Sequence, residues 1–199
     1  MSEPRLEFWF EFASTYSYLT AMRIEAAAAA AGVAVTWRPF LLGPIFYAQG
    51  WSDSPFNLYP IKGRYMWRDM ERLCERYRLP LKHPTDFPRN GLLAARVAVL
   101  GAEEPWGPEF VRSVYSANFA HDLDIGNARV IEAILESMGQ PAREVLAAAH
   151  EEANKERLKQ QTQSAQTHGI FGAPSFVADG ELFWGNDRLE DALAWMTRA

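Results

Sequence analysis

An α/β fold, ordered as strand, helix, strand, then a block of helices, then strand, strand, helix, is expected from three features of the sequence. The first is a strand-like alternation at Leu6, Phe8 and Phe10 that runs directly into an alanine-rich stretch from Leu19 to Val33. The second is that strand and turn patterning returns only near the end, where SFVAD and GELFWG follow the turn segment Gly169 to Pro174. The third is that helix formers dominate most of the text between.

Each element has its own warrant. Leu6, Phe8 and Phe10 alternate with Glu7, Trp9 and Glu11, the period of a strand with one better-buried face. Ser14 is a suitable N-cap and Gly32 a suitable stop, so a helix is expected over Tyr16 to Ala31. Val33 to Pro39 reads as a second strand ended by proline, and a connection of this length suits a parallel, right-handed pair. Leu41 to Asn57, rich in Gly, Pro, Ser and aromatic residues, reads as a long ordered loop. Helices are expected over Ile61 to Tyr77, Asn90 to Leu100, Pro108 to Asn118, Ala128 to Met138 and Arg143 to Thr167. After the hairpin, Arg188 to Arg198 closes the chain as a helix.

Composition narrows the function. With 199 residues, 48% of them hydrophobic, the chain is large enough for a real core. The net charge of -5 and the lack of any basic run exclude a general field for nucleic acid or an anionic membrane surface. The start, MSEPRLEFWFEF, lacks the basic and then uncharged pattern of a secretory signal, and the alanine-rich stretch is too short to span a bilayer. A cytoplasmic protein is expected. Cys74 is the single cysteine, so neither an internal disulfide nor a dithiol redox centre can form within this chain.

The segment FEFASTYSYL places Ser14, Thr15, Tyr16 and Ser17 at a strand-to-helix junction. Free backbone N–H groups and the helix dipole favour an anion at such a point, and thiolates gain strongly from it. Much later, GIFGAPSFV leads through Ala173-Pro174 into a strand. The βαβ and ββα halves, the x-Pro turn and the helical insertion resemble the thioredoxin-like fold of the DsbA branch. That resemblance implies a discontinuous thioredoxin-like domain, residues 1–43 and 154–199, around a helical insertion, residues 44–153. It also implies a cis bond before Pro174, facing the helix N-terminus.

Ser14-Thr15-Tyr16-Ser17 stands where redox members have Cys-x-x-Cys. With NLYPIKGRYMWRD, GIFGAPSFV and FWGNDRLED, the text resembles the 2-hydroxychromene-2-carboxylate isomerases and kappa-class glutathione transferases, from Leu6 to Trp195. The resemblance implies that glutathione brings the missing sulfur as a cofactor, and that Ser14 holds it as a thiolate. It further implies that Ala173, before Pro174, pairs with the cysteinyl backbone, that Asn186 and Asp187 grip the γ-glutamyl end, and that Lys62 meets a carboxylate of glutathione or substrate. A small aromatic substrate is implied, with Tyr16 and Trp51, beside Phe46 and Tyr47, as candidates for its apolar wall. A homodimer is implied as well. Thr15 departs from the family's usual proline at that position.

The implied reaction is isomerisation about a carbon–carbon double bond by reversible thiolate addition. A transferase that conjugates electrophiles is the alternative within the same family. A non-catalytic thioredoxin-fold module binding peptide along the Pro174 strand is the alternative from another class. The remaining candidates have structural readings. Ser17 is expected inside the first turn, Asn90 as a helix cap, His168 at a helix C-terminus, and Cys74 as a buried thiol. The run from Glu151 to Gln166 is expected as a solvated helix face. The four histidines show no metal-ligand spacing, so no metal site is expected.

Overall fold

The computed structural model describes residues 4–198. Met1 to Glu3, which open the segment read against a secretory signal, and Ala199 lie outside the described residues. Strand β1 (Arg5–Phe10) runs parallel to β2 (Ala34–Pro39), with Phe8 opposite Trp37. Strand β3 (Ser175–Ala178) is antiparallel to β1 on its other side and to β4 (Glu181–Trp184), giving the sheet order β2-β1-β3-β4.

The core follows from the pleat. Leu6, Phe8 and Phe10 point to one face, where Phe8 packs on Trp37 and Phe176 with ring centroids at 5.2 and 5.8 Å. Phe12, Phe110 and Tyr115 extend this aromatic cluster under the end of β1. The other face is also covered. Trp9, Phe40, Ile45, Ala165, Ile170 and Val177 form a second, smaller cluster, so β1 has two buried faces rather than one.

Three expectations about helices are corrected. The helix expected over Tyr16 to Ala31 is two helices, α1 (Thr15–Ala21) and α2 (Ile24–Ala31). Between them Arg23 leaves helical geometry, and its guanidinium binds Asn186 and Glu190 while lying 5.0 Å over the Tyr77 ring. That tertiary anchor outweighs the helix propensity of the alanines. Gly32 ends α2 at φ 66, as a left-handed C-terminal glycine should.

The stretch Leu41 to Asn57 is not a plain loop but holds two short helices, α3 (Leu42–Ala48) and α4 (Pro55–Leu58). Ser54 caps α4 by accepting from the Phe56 N–H at 3.3 Å, with Pro55 at the first helical position. Next come α5 (Pro60–Tyr77), α6 (Leu92–Leu100), α7 (Gly107–Phe119) and α8 (Ala128–Ser137).

The helix expected over Arg143 to Thr167 is also two, α9 (Ala142–Ala149) and α10 (Glu152–Thr167). Buried Asn154 terminates the first by donating to the Ala149 carbonyl and, at 2.9 Å, to the Arg96 carbonyl. A 3-10 turn over Asn186–Arg188 precedes the last helix, α11 (Leu189–Met196). Among the described residues no helix is long and apolar enough to cross a membrane.

Candidate active site

The end of β1 turns into α1 through Glu11 to Ser14, closed by the Ser14 N–H donating to the Glu11 carbonyl at 3.0 Å. Ser14 is the N-cap: its Oγ accepts from the Ser17 N–H at 3.2 Å, which satisfies one of the free donors of the first turn. The same hydroxyl donates to the Ala173 carbonyl at 2.9 Å. The Ala173-Pro174 bond is cis. Thus one half-buried hydroxyl joins the helix N-terminus to the loop that enters β3.

The same loop reaches the carboxyl-terminal turn. The Gly185 N–H donates to the Pro174 carbonyl at 3.0 Å, which places Asn186 and Asp187 next in line. Ser14, Ala173, Pro174, Asn186 and Asp187 are therefore connected by short hydrogen-bonded steps, although β1 and β4 lie at opposite ends of the sequence. Asn186 is buried, and its Oδ1 accepts from Thr20 Oγ1 and Arg23 Nε, each at 3.1 Å. Asp187 is exposed, with Arg188 at 3.2 Å as its ion-pair partner. The two neighbours differ in what they offer: Asn186 braces α1, and Asp187 presents a carboxylate to solvent.

Tyr16 lies half-buried and donates to Asp69 on α5 at 3.0 Å. Burial, and then that carboxylate, push its hydroxyl well above the ordinary tyrosine range, so Tyr16 stays a neutral donor. Its ring faces Phe56 of α4 at 6.4 Å. Trp51 is half-buried against Phe46 at 5.3 Å, whereas Tyr47 is 83% exposed. Lys62 is exposed on the first turn of α5, its ammonium 5.6 Å from the Tyr59 ring centroid. Among the described residues, neither Trp51 nor Lys62 hydrogen-bonds to the Ser14 turn.

The structural readings separate cleanly. Ser17 is fully buried in the first turn, Asn90 accepts from the Leu92 N–H at the start of α6, and His168 is the C-cap of α10 with its ring 5.7 Å from that of Trp9. Cys74 is buried, and burial pushes its thiol up to about 11, which keeps it protonated and inert. On α10, Asn154, Leu158, Thr162 and Ala165 face inward, leaving the charged and glutamine side chains mostly outside. Among the described residues no group of three or more His, Cys, Asp or Glu could hold a metal ion.

Two features escaped the sequence reading. Glu11, taken there only as the polar phase of a strand, accepts from the Ala13 N–H at 3.0 Å, and its burial pushes the carboxyl up to about 7. Its placement between Phe10 and Phe12, just before a helix cap, is the signal that could have found it. Arg89 is buried and makes hydrogen bonds to Asn118, Leu123, Thr85 and Asp122, which pins the loop that enters α6. That loop contains a second cis bond, Phe87-Pro88.

At the Ser14 turn the structure has oxygen and backbone donors only. Thr15 Oγ1 is buried with no hydrogen-bond partner among the described residues, beside the free N–H groups of the first turn of α1. The arrangement can hold an anion and cannot exchange electrons through sulfur.

Over residues 5–194 the chain matches the DSBA-like thioredoxin domain family. It is 26% identical over 186 residues to a 2-hydroxychromene-2-carboxylate isomerase of Sphingobium xenophagum, spanning 93% of this chain and 94% of that one. It is 28% identical over 202 residues to glutathione S-transferase kappa 1 of Rattus norvegicus, spanning 94% and 88%. The solved structure of a 2-hydroxychromene-2-carboxylate isomerase superposes with a TM-score of 0.84 at 24% identity, over 93% of this chain and 90% of that one.

Proposed function

Since the chain belongs to the DSBA-like thioredoxin domain family but has serine at both Ser14 and Ser17, we propose that it is a glutathione-dependent isomerase of 2-hydroxychromene-2-carboxylate-type substrates. The observation that supports this most is the Ser14 hydroxyl bridging the N-terminus of α1 to the Ala173 carbonyl at 2.9 Å. Bound glutathione supplies the nucleophilic thiolate that makes a double bond transiently single.

The chain's own groups then have distinct tasks. Ser14 has one proton to donate, and in the structure Ala173 receives it. Turning that hydroxyl toward the sulfur frees the Ala173 carbonyl for the cysteinyl N–H of the tripeptide, an exchange of one acceptor for another on a single rotor. The first-turn N–H groups of α1 and the dipole add to the anion's stabilisation.

Asp187, exposed and paired only with its neighbour Arg188 among the described residues, receives the γ-glutamyl ammonium, while Asn186 keeps the turn in place through Thr20 and Arg23. Lys62 receives a carboxylate, and Tyr16 and Trp51 provide apolar surface for a flat ring. The protein needs no thiol of its own. A serine donor holds the thiolate without forming a mixed disulfide with it.

The likeness to a kappa transferase favours a second reading, irreversible conjugation of electrophiles at the same site. One experiment tests both. Purified protein is given reduced glutathione with hydroxychromene carboxylates, and separately with activated electrophiles, and products are separated by chromatography. Interconversion of the open and closed acids with glutathione conserved supports the isomerase. Accumulating conjugate supports the transferase, and failure to bind glutathione at millimolar concentration overturns both.

A further inference from the structure

Glu11 occupies a place that no task above accounts for. Its backbone carbonyl receives two hydrogen bonds, from the Ser14 N–H at 3.0 Å and from the Tyr115 hydroxyl at 2.8 Å. Its Oε2 accepts from the Ala13 N–H, and its Oε1 has no hydrogen-bond partner among the described residues. Gly91, at the entry to α6, closes over it: a Cβ there would stand 3.2 Å from Oε1 and 3.0 Å from the Phe12 Cβ. The half-buried carboxyl thus lies in a crevice beside Gly91, on the very turn that presents Ser14.

The groups facing it are few. Tyr115, from α7, is the titratable side chain opposite it, and burial followed by the Glu11 charge raises that hydroxyl far above its ordinary range. Tyr115 therefore stays neutral. The turn before α1 and the loop before α6 contribute the Ala13 N–H and the Gly91 backbone, and no Lys, Arg or His pairs with Glu11 among the described residues. A carboxylate without a cation, beside a helix N-terminus meant for another anion, cannot comfortably coexist with it.

We infer that Glu11 is the proton store of the thiol site: its carboxylate takes the proton that a bound thiol gives up, and returns it when the thiol is restored. This rests on the glutathione reading above. The S–H bond breaks with its electron pair left on sulfur, and an O–H bond forms on Glu11, so the crevice keeps a single negative charge throughout. The two groups titrate as a pair. An ordinary thiol titrates near 8.5 and this carboxyl near 7, close enough for easy transfer in both directions.

The test is calorimetric titration with glutathione at about pH 8, in two buffers of different ionisation enthalpy, with thiolate ultraviolet absorbance recorded alongside. Wild-type protein, Glu11→Gln and Glu11→Asp are compared, with S-methyl glutathione as a control. Glu11→Gln keeps an oxygen for the Ala13 N–H, and Glu11→Asp keeps the carboxylate should the amide disturb folding. Wild type should form thiolate while releasing well under half a proton; Glu11→Gln should release about three quarters of one, with Glu11→Asp between. Equal proton release from wild type and Glu11→Gln, with thiolate formed in both, overturns the role of Glu11 alone. Absence of glutathione binding to wild type overturns the thiol site itself, and the proton store with it.

Discussion

The Ser14 hydroxyl and the Ala173 carbonyl, 159 positions apart, meet at 2.9 Å. This contact ties the N-terminus of α1 to the loop that enters β3, and it uses the one proton that Ser14 has to give. On the proposed reading, a ligand sulfur competes for that proton. Ser14→Ala should therefore lower turnover by at least roughly tenfold, a modest version of the loss of an oxyanion donor, with little change in glutathione affinity. It also removes the cap on the Ser17 N–H, so the unfolding free energy should fall by about 1 kcal/mol. Unchanged turnover would remove Ser14 from the chemistry.

Glu11 makes stability depend on pH in a direction opposite to that of an ion-paired acid. Its carboxyl rises from 4.5 to about 7 on folding. Within that window the folded chain keeps a proton that the unfolded chain has lost, so stability declines as pH rises and levels off above about 7. Glu11→Gln should abolish this slope and be more stable than wild type near pH 8 by about 2 to 3 kcal/mol. Denaturant unfolding at a series of pH values measures it, and parallel curves for the two proteins would refute it.

Asp122 behaves in the opposite sense. The Thr85 N–H, and then Arg89, hold its carboxyl down from 3.8 to about 2. The stability it contributes is fully present above the unfolded value of 3.8 and is lost as pH falls through about 2. Asp122→Asn should be less stable at neutral pH, and the difference from wild type should shrink on acidification through this range. A difference independent of pH would show that the pairing with Thr85 and Arg89 is energetically unimportant.

Asn186 and Asp187 are neighbours with separable effects. Asn186→Ala strips Thr20 and Arg23 of a buried acceptor and should cost about 1 to 3 kcal/mol of stability. Asp187→Asn touches only an exposed carboxylate and should leave the melting temperature nearly unchanged while weakening glutathione about tenfold, the scale of one charge-assisted hydrogen bond. Thermal unfolding and glutathione titration of both variants check the division. Equal loss of affinity with no loss of stability in Asn186→Ala would mean that its side chain serves the ligand instead.

Elements defined by local chemistry were legible in the sequence: the alternation of β1, the cap at Ser14, the stop at Gly32 and the hairpin after Pro174. So was the absence of a dithiol, since Cys74 stands alone. Breaks caused by distant partners were not legible. Arg23 interrupts an alanine-rich helix because Asn186 and Glu190 receive its guanidinium, and Asn154 divides another because the Arg96 carbonyl lies within reach. Both sets of partners are remote in sequence, and propensity is a sum over neighbours.

The candidate site divides in the same way. Residue types alone determined that the chain has one cysteine and serine at both Ser14 and Ser17, whereas a helix start facing an x-Pro loop was implied by the family resemblance. Only the tertiary structure decided that Ser14 spends its proton on Ala173, that Asn186 Oδ1 braces Thr20 and Arg23, and that Glu11, beside Gly91, has no cation partner among the described residues. Hydrogen-bond partners and desolvation belong to the packed chain, because each depends on what surrounds an atom in space, and the surroundings of Glu11 are assembled from β1, α6 and α7 together.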